Sequence, residues 1–194
     1  MDGLNGLGAL PDSENEDGPP YLPTGAVTVV LPSSTGVIWA AGEDNCTSLS
    51  VKTDVFSRKI VGYNLSETIE AADSLSALKK ALKPIRKDTG LTHHSDRGRQ
   101  YCAKIYIDHL QKYSIDISMT EHDHAAENAL AERVNGILKQ EFLLDRTMPS
   151  FDYARKQVRE AIYIYNHERL HMSIGWRTPQ SVYDNHYLST YFRI

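Results

Sequence analysis

The chain holds only two cysteines, Cys46 and Cys102, among 194 residues, and their spacing matches no ligand motif. A disulfide-stapled scaffold and a four-cysteine zinc site are thereby excluded, and two cytosolic thiols are the plainer reading. No run of 18 apolar residues occurs, so no membrane-spanning helix is expected. No basic segment followed by an apolar stretch opens the chain, so no secretory leader is read and the expected location is cytoplasmic. There is no glycine loop of the phosphate-cradling type and no Gly-x-Ser-x-Gly elbow. A basic excess is also lacking: 21 Lys and Arg stand against 25 Asp and Glu, for a net charge of −4. Net charge alone therefore does not point to nucleic acid.

What is present is unevenly distributed. Residues 1–24 contain Asp2, Asp12, Glu14, Glu16 and Asp17 and no Lys or Arg. They are also rich in Gly, Pro and Asn, with few large apolar side chains to offset ordering entropy, so a disordered or foreign segment is expected there. Without it the remaining residues are close to neutral, and from Arg133 onward basic residues outnumber acidic ones. That excess permits phosphate contacts without requiring them.

Apolar patterning predicts a mixed α/β domain over residues 25–190. Strands are expected at Ala26–Leu31, Val37–Ala41, Leu49–Val55, Lys59–Leu65, Leu91–His94 and Ile115–Met119. One helix carries Leu75, Leu78 and Leu82 and stops at Pro84; a second is expected from Gln100 to Tyr113, with Tyr101, Ile105, either Ile107 or Tyr106, and Leu110 inward. The most regular helix runs from Glu127 to Leu143. Leu130, Val134, Ile137, Leu138 and Phe142 form its apolar stripe, while Asn128, Glu132, Asn135 and Lys139 line the opposite face. Ser150 is placed to cap a final long helix carrying Ala154, Val158, Ile162 and Tyr165.

Two carboxylates stand out. Asp96, in His94-Ser95-Asp96-Arg97-Gly98, and Glu132 are separated by 35 residues, and Lys139 follows Glu132 by two helical turns. Hard carboxylate oxygens suit Mg²⁺, and metal pairs about 3.5–4 Å apart clamp the attacking and leaving oxygens of a phosphoryl transfer. A lysine on the same face can hold a phosphate as a point charge. Against this stands the plain alternative. In an acid-rich chain an Asp and a Glu at a given spacing are weak evidence, and an exposed Glu and Lys seven apart usually form a solvated face.

The surrounding segments add specificity. Asp54-Val55-Phe56-Ser57-Arg58-Lys59-Ile60-Val61-Gly62-Tyr63, the Asp96 segment with Gln100-Tyr101, and Glu127-Asn128-Ala129 through Glu132 to Lys139 occur in that order. Tyr165-Asn166, Arg169, His171, Ser173, Gly175 and Thr178-Pro179 follow. Together these blocks resemble the insertion-sequence transposases with a retroviral-integrase-type (DDE) catalytic core. The resemblance implies a ribonuclease H-like mixed sheet flanked by helices. It implies cleavage of DNA ends and strand transfer in DNA transposition, with Mg²⁺ or Mn²⁺ as cofactor. Asp96 and Glu132 would be catalytic metal ligands, and Lys139, Arg169 and His171 would contact DNA. The implied partners are transposon ends and target DNA, further copies of the chain on that DNA, and a separate DNA-binding protein. For Arg169 and His171 a hydrogen-bonded turn docking the last helix is an equal alternative.

One part of the pattern is broken. The family carries a first Asp on its first strand, in a segment resembling Trp-x-x-Asp-Ile-Thr-Tyr. Counting back from Asp54 by the family's spacing lands on Gly36, and nothing in Thr24–Ala41 is acidic. Residues 25–47 thus match poorly. Asp44 could replace the lost carboxylate; so could Asp54, which already fills a noncatalytic family position. The third reading, an incomplete site behind a foreign or frame-shifted segment, explains both the acidic tail and the missing motif by one event and is preferred. It makes a noncatalytic DNA-binding remnant the alternative function. The close histidine pairs, His93-His94 and His122 with His124, lack nearby cysteine partners and are expected to be solvated or to line the site.

Overall fold

The computed structural model describes residues 28–30, 36–39, 46–68, 70–85, 90–96, 98–119 and 125–191. The expectation of disorder over residues 1–24 lies outside them. Among the described residues six strands form one sheet: β1 (Thr28–Val30), β2 (Gly36–Trp39), β3 (Cys46–Asp54), β4 (Ile60–Ser66), β5 (Thr92–Ser95) and β6 (Asp116–Met119). β3 is the hub. β4 pairs antiparallel along one of its edges, Leu49 opposite Leu65 and Val51 opposite Tyr63. β1 and β2 share the other edge, Val30 opposite Thr53 and Gly36 opposite Leu49. β1 then pairs parallel with β5, and β5 parallel with β6. Each expected strand has a counterpart among the described residues.

The period-two alternation of β3 divides the interior into two cores. Leu49 and Val51 join Ile60 of β4 under two helices, α3 (Ala125–Gln140) and α4 (Phe151–His167). Val134, Ile137 and Leu138 of α3 meet Ala154, Val158, Ala161, Ile162 and Tyr165 of α4 there. Ser50 and Lys52 are also buried, and each bonds on the other side: Ser50 to Ser74 of α1 (Ala71–Leu82), Lys52 over the rings of Tyr101 and Tyr106. On that side Leu78 and Leu82 of α1 pack with Leu91, Tyr101, Ile115 and Tyr106 and Leu110 of α2 (Lys104–Lys112). Gly62 lets α1 approach β4 closely: a Cβ there would overlap the Ala77 carbonyl oxygen and lie 2.8 Å from the Ala81 Cβ.

Several helical expectations need correction. α2 begins at Lys104, because Gly98 to Ala103 form turns in which the Gly98 carbonyl accepts the amides of Tyr101 and Cys102. Tyr101 still reaches the core from that turn, but Ile105 is exposed, since Tyr106 and Leu110, four apart, already fill the buried face. α3 ends at Gln140, not Leu143, so Phe142 packs on the core from beyond the helix; Leu130, Val134, Ile137 and Leu138 form the stripe as expected, whereas Asn135 is buried, not on the polar surface. Ser150 caps α4, its Oγ accepting from the Tyr153 amide at 3.2 Å. α4 is not the last helix: α5 (Pro179–Tyr191) follows a 3₁₀ turn at Met172–Ile174. Its start was legible, since Thr178 Oγ1 accepts from the Ser181 amide and proline occupies the first helical position.

Candidate metal and DNA site

Asp96 lies immediately beyond β5, where the parallel strands β1, β5 and β6 end, the side of a parallel sheet on which sites open. It is half-buried, and its Oδ1 accepts from the Gly98 amide at 3.0 Å. A Cβ at Gly98 would sit 2.9 Å from that oxygen. The glycine therefore lets the chain fold back over the carboxylate and fix it.

Glu132 is exposed on α3, whose opposite side, through Ala131, Val134, Ile137 and Leu138, is buried. Lys139 follows two turns later, half-buried. At about 1.5 Å rise per residue the two side chains are about 10 Å apart along one helical face. α3 rests on β3 and β4, and Asp96 extends from β5 of the same sheet.

The third carboxylate is the open position. Gly36 is in β2 opposite Leu49, and Asp44 lies outside the described residues. Asp54 is fully buried and structurally engaged: its Oδ2 accepts from the Ser57 amide at 2.8 Å and from the Ser57 hydroxyl. It stabilises the β3–β4 turn. Among the described residues no group of three or more His, Cys, Asp or Glu is arranged to hold a metal ion. Asp96 and Glu132 are thus donors of the right kind for Mg²⁺, but they do not make a complete two-metal set.

The histidine expectation, solvated or site-lining, loses its first alternative at one pair. His93 and His94 are buried, not solvated. His93 Nε2 lies 2.9 Å from the Tyr106 hydroxyl, and His94 Nδ1 lies 3.0 Å from Ser118 Oγ. Burial, reinforced by the Lys52 charge, pulls His93 down to about 3. His122 and His124 are outside the described residues.

Arg169 and His171 sit in the segment after α4. The Arg169 guanidinium donates twice to Glu141, Nε to Oε2 and Nη2 to Oε1, both at 2.7 Å. This fork lowers the Glu141 pKa. His171 is buried edge-on against Tyr165 at 4.8 Å, and its backbone bridges Arg177. Burial and then Arg169 depress it to about 4, so the imidazole is neutral near pH 7. The turn reading of this segment describes these contacts. Glu141 was not singled out in the sequence, and a partner 28 residues away leaves no local signal.

A mixed sheet of this strand order with helices packed against it is the ribonuclease H-like arrangement. Two family models, each described as an integrase core domain, match residues 36–125 and 113–179. The chain belongs to the integrase-core family, and its relatives include transposases for insertion sequence elements. It is 31% identical to the insertion element IS600 uncharacterized 31 kDa protein of Shigella sonnei, over 82% of this chain and 61% of that protein. It is 29% identical to the transposase for insertion sequence element IS904 of Lactococcus lactis, over 68% of this chain and 53% of that protein. The chain thus spans about half to three-fifths of the length of these relatives. Among solved structures it resembles the catalytic core of BIV integrase, with a TM-score of 0.62 and 16% identity, over 87% of this chain and 99% of that one. The HTLV-2 integrase catalytic core in complex with magnesium gives 0.58 and 18% identity, over 83% of this chain and 97% of that one. These likenesses establish the fold. The family match opens at Gly36, upstream of the segments that carry the sequence resemblance. No helix among the described residues is long and apolar enough to cross a membrane.

Proposed function

We propose that this chain is the catalytic core of an insertion-sequence transposase, cutting DNA ends by hydrolysis and joining the 3′-hydroxyl to target DNA. Asp96 and Glu132 bind Mg²⁺ or Mn²⁺, Lys139 contacts a DNA phosphate, and Arg169 contributes its charge next to the end of α3. His171, buried and neutral, reaches DNA only by holding the turn around Arg169. The core works as a homo-oligomer on DNA, with end recognition aided by a separate DNA-binding protein. The observation that carries this reading is the integrase-core match together with an acid beyond β5 and a second acid on the exposed face of α3.

Catalysis by the chain as given is impaired, because only two of three carboxylates are identified; loss of a bridging ligand removes most binding of one ion. A noncatalytic DNA-binding remnant is the second reading, favoured by the same incomplete acid set. The test is an end-cleavage and strand-transfer assay with Mn²⁺. It compares the given chain, Asp44→Asn, and a version carrying the family's first-strand segment. Activity only in the last supports impairment. Activity in the given chain lost on Asp44→Asn makes Asp44 the third ligand, and activity that survives Asp44→Asn refutes the incomplete-site reading. If all three are inactive while duplex DNA is bound, the remnant reading replaces the catalytic one.

A further inference from the structure

Asp96 and the ring of Tyr101 stand against the same bare face of Gly98. The place a Gly98 Cβ would take lies 2.9 Å from Asp96 Oδ1 and 3.4 Å from Tyr101 Cδ2. The backbone closes the same turn from both sides. The Gly98 amide donates to Asp96 Oδ1, and the Gly98 carbonyl accepts the amides of Tyr101 and Cys102. Carboxylate, glycine and ring thus form one stack, half-buried at Asp96 and buried at Tyr101.

The ring is held from behind. It meets Tyr106 of α2 edge-on, with 5.5 Å between centroids. Lys52 Nζ, from β3, lies 5.1 Å from the centre of the Tyr101 ring. That nitrogen donates to Ser50 Oγ, and Ser50 donates to Ser74 of α1. A cation over an aromatic face attracts it more strongly once both are out of water. Packing alone does not account for the lysine, because a buried amine costs more than an apolar side chain of its volume.

We propose that Tyr101 is a positioning residue for Asp96, with Lys52 as the pin that holds its ring, so that the carboxylate meets a divalent cation in one orientation. This deepens the transposase reading and rests on its assignment of Asp96. A metal ligand has to be held to within about 0.5 Å of its working geometry, and the groups behind a ligand are worth about 10–100-fold in metal affinity. The Gly98 amide anchors Asp96. What stands behind that glycine sets how firmly the anchor holds.

Hydrogen exchange of the Gly98 amide in the full chain reads this clasp without metal. It is measured at about pH 6, where Lys52 carries its charge. Tyr101→Leu is expected to speed the exchange by at least about 10-fold, and Tyr101→Phe, which keeps the ring, to leave it within about 2-fold. Leu82→Ala weakens the same core from α1 and is expected to leave Gly98 unaffected. If Tyr101→Leu does not fold, Lys52→Met takes its place, since it keeps the apolar stem and removes a buried charge. Faster Gly98 exchange in that variant, with stability undiminished, supports the pin; unchanged exchange overturns it. Mn²⁺ supplies the second readout: broadening of the Gly98 amide resonance is expected to need about 10-fold more Mn²⁺ in Tyr101→Leu. Unchanged exchange and Mn²⁺ response in Tyr101→Leu, or an equal change in Leu82→Ala, overturn the positioning role and leave the transposase reading intact. An unsubstituted chain that draws no Mn²⁺ to Asp96 overturns the metal assignment in that reading, and the positioning role with it.

Discussion

Asn166 satisfies both backbone groups of Ile60. Its Oδ1 accepts from the Ile60 amide at 2.9 Å, and its Nδ2 donates to the Ile60 carbonyl at 3.0 Å. A side chain at the end of α4 thus serves as a strand neighbour for the first residue of β4, across 106 positions of sequence. Both residues are buried, so neither backbone group has water as a fallback.

Asn166→Ala should therefore destabilise the fold by about 2–4 kcal/mol, the cost of two buried unsatisfied backbone groups. Asn166→Asp should also destabilise, since a carboxylate accepts the amide but cannot donate to the carbonyl. Urea unfolding of the two variants measures this. A loss below about 0.5 kcal/mol in both would show that the bridge is not part of the stability of the fold.

Lys52 predicts a pH dependence. It is fully buried, its Nζ donates to Ser50 Oγ at 3.1 Å, and burial lowers its pKa from 10.5 to about 7. Between those values the unfolded chain holds a proton that the folded chain lacks, so stability rises with pH from about 7 toward 10.5. His93, depressed from 6.5 to about 3, acts in the same direction at lower pH: its contribution is present above 6.5 and is lost as pH falls toward 3. Lys52→Met should remove the alkaline rise and raise stability near neutral pH. Chemical-denaturation midpoints at about pH 6 and about pH 9 decide it, and an alkaline rise that persists in Lys52→Met would exclude Lys52 as its source.

Gly62→Ala should separate α1 from β4. The added methyl meets the Ala77 carbonyl oxygen and the Ala81 backbone, neither of which is a flexible side-chain end. A loss of about 1–3 kcal/mol is expected, as for other overpacked sites. Thermal melts and hydrogen exchange at Ala77 to Leu82 would register it. An unchanged melt would mean that the helix shifts without cost.

Lys139→Ala should weaken binding to DNA of any sequence by a similar factor and lower the salt slope by about 1, as for loss of a single phosphate contact. Glu132→Gln, by contrast, should leave metal-free DNA binding unweakened while reducing Mn²⁺-dependent cleavage by at least about 100-fold in the version with the restored first strand. Gel-shift titrations beside cleavage assays separate the two effects. Equal loss of binding and cleavage in both variants would contradict the separate roles.

The strand and helix layout was legible because burial imposes a period on local sequence. Val134, Ile137 and Leu138 marked the inner face of α3, and Ser150 marked the start of α4, since a hydroxyl before a helix has a local job. The segments around Asp96 and Glu132 stood out for a different reason, their resemblance to a family, and the role of the two acids belongs to the proposed function. Asn135 and Ile105 were misread because residues at the margin of a helical stripe are assigned by what packs over them, and periodicity does not contain that information.

By itself the sequence determined the family-bearing segments, the α/β order, the lack of an acid at Gly36 and the uneven charge. Each is a property of residue identity or of short-range periodicity. Only the tertiary structure decided that Ser50 and Lys52 enter a second core, that Asp54 is consumed by Ser57, that Glu141 meets Arg169, and that Asn166 completes Ile60. Those outcomes depend on which elements come to lie side by side, because desolvation and hydrogen bonding act across space, between residues as far apart as the two ends of the sheet and its covering helices.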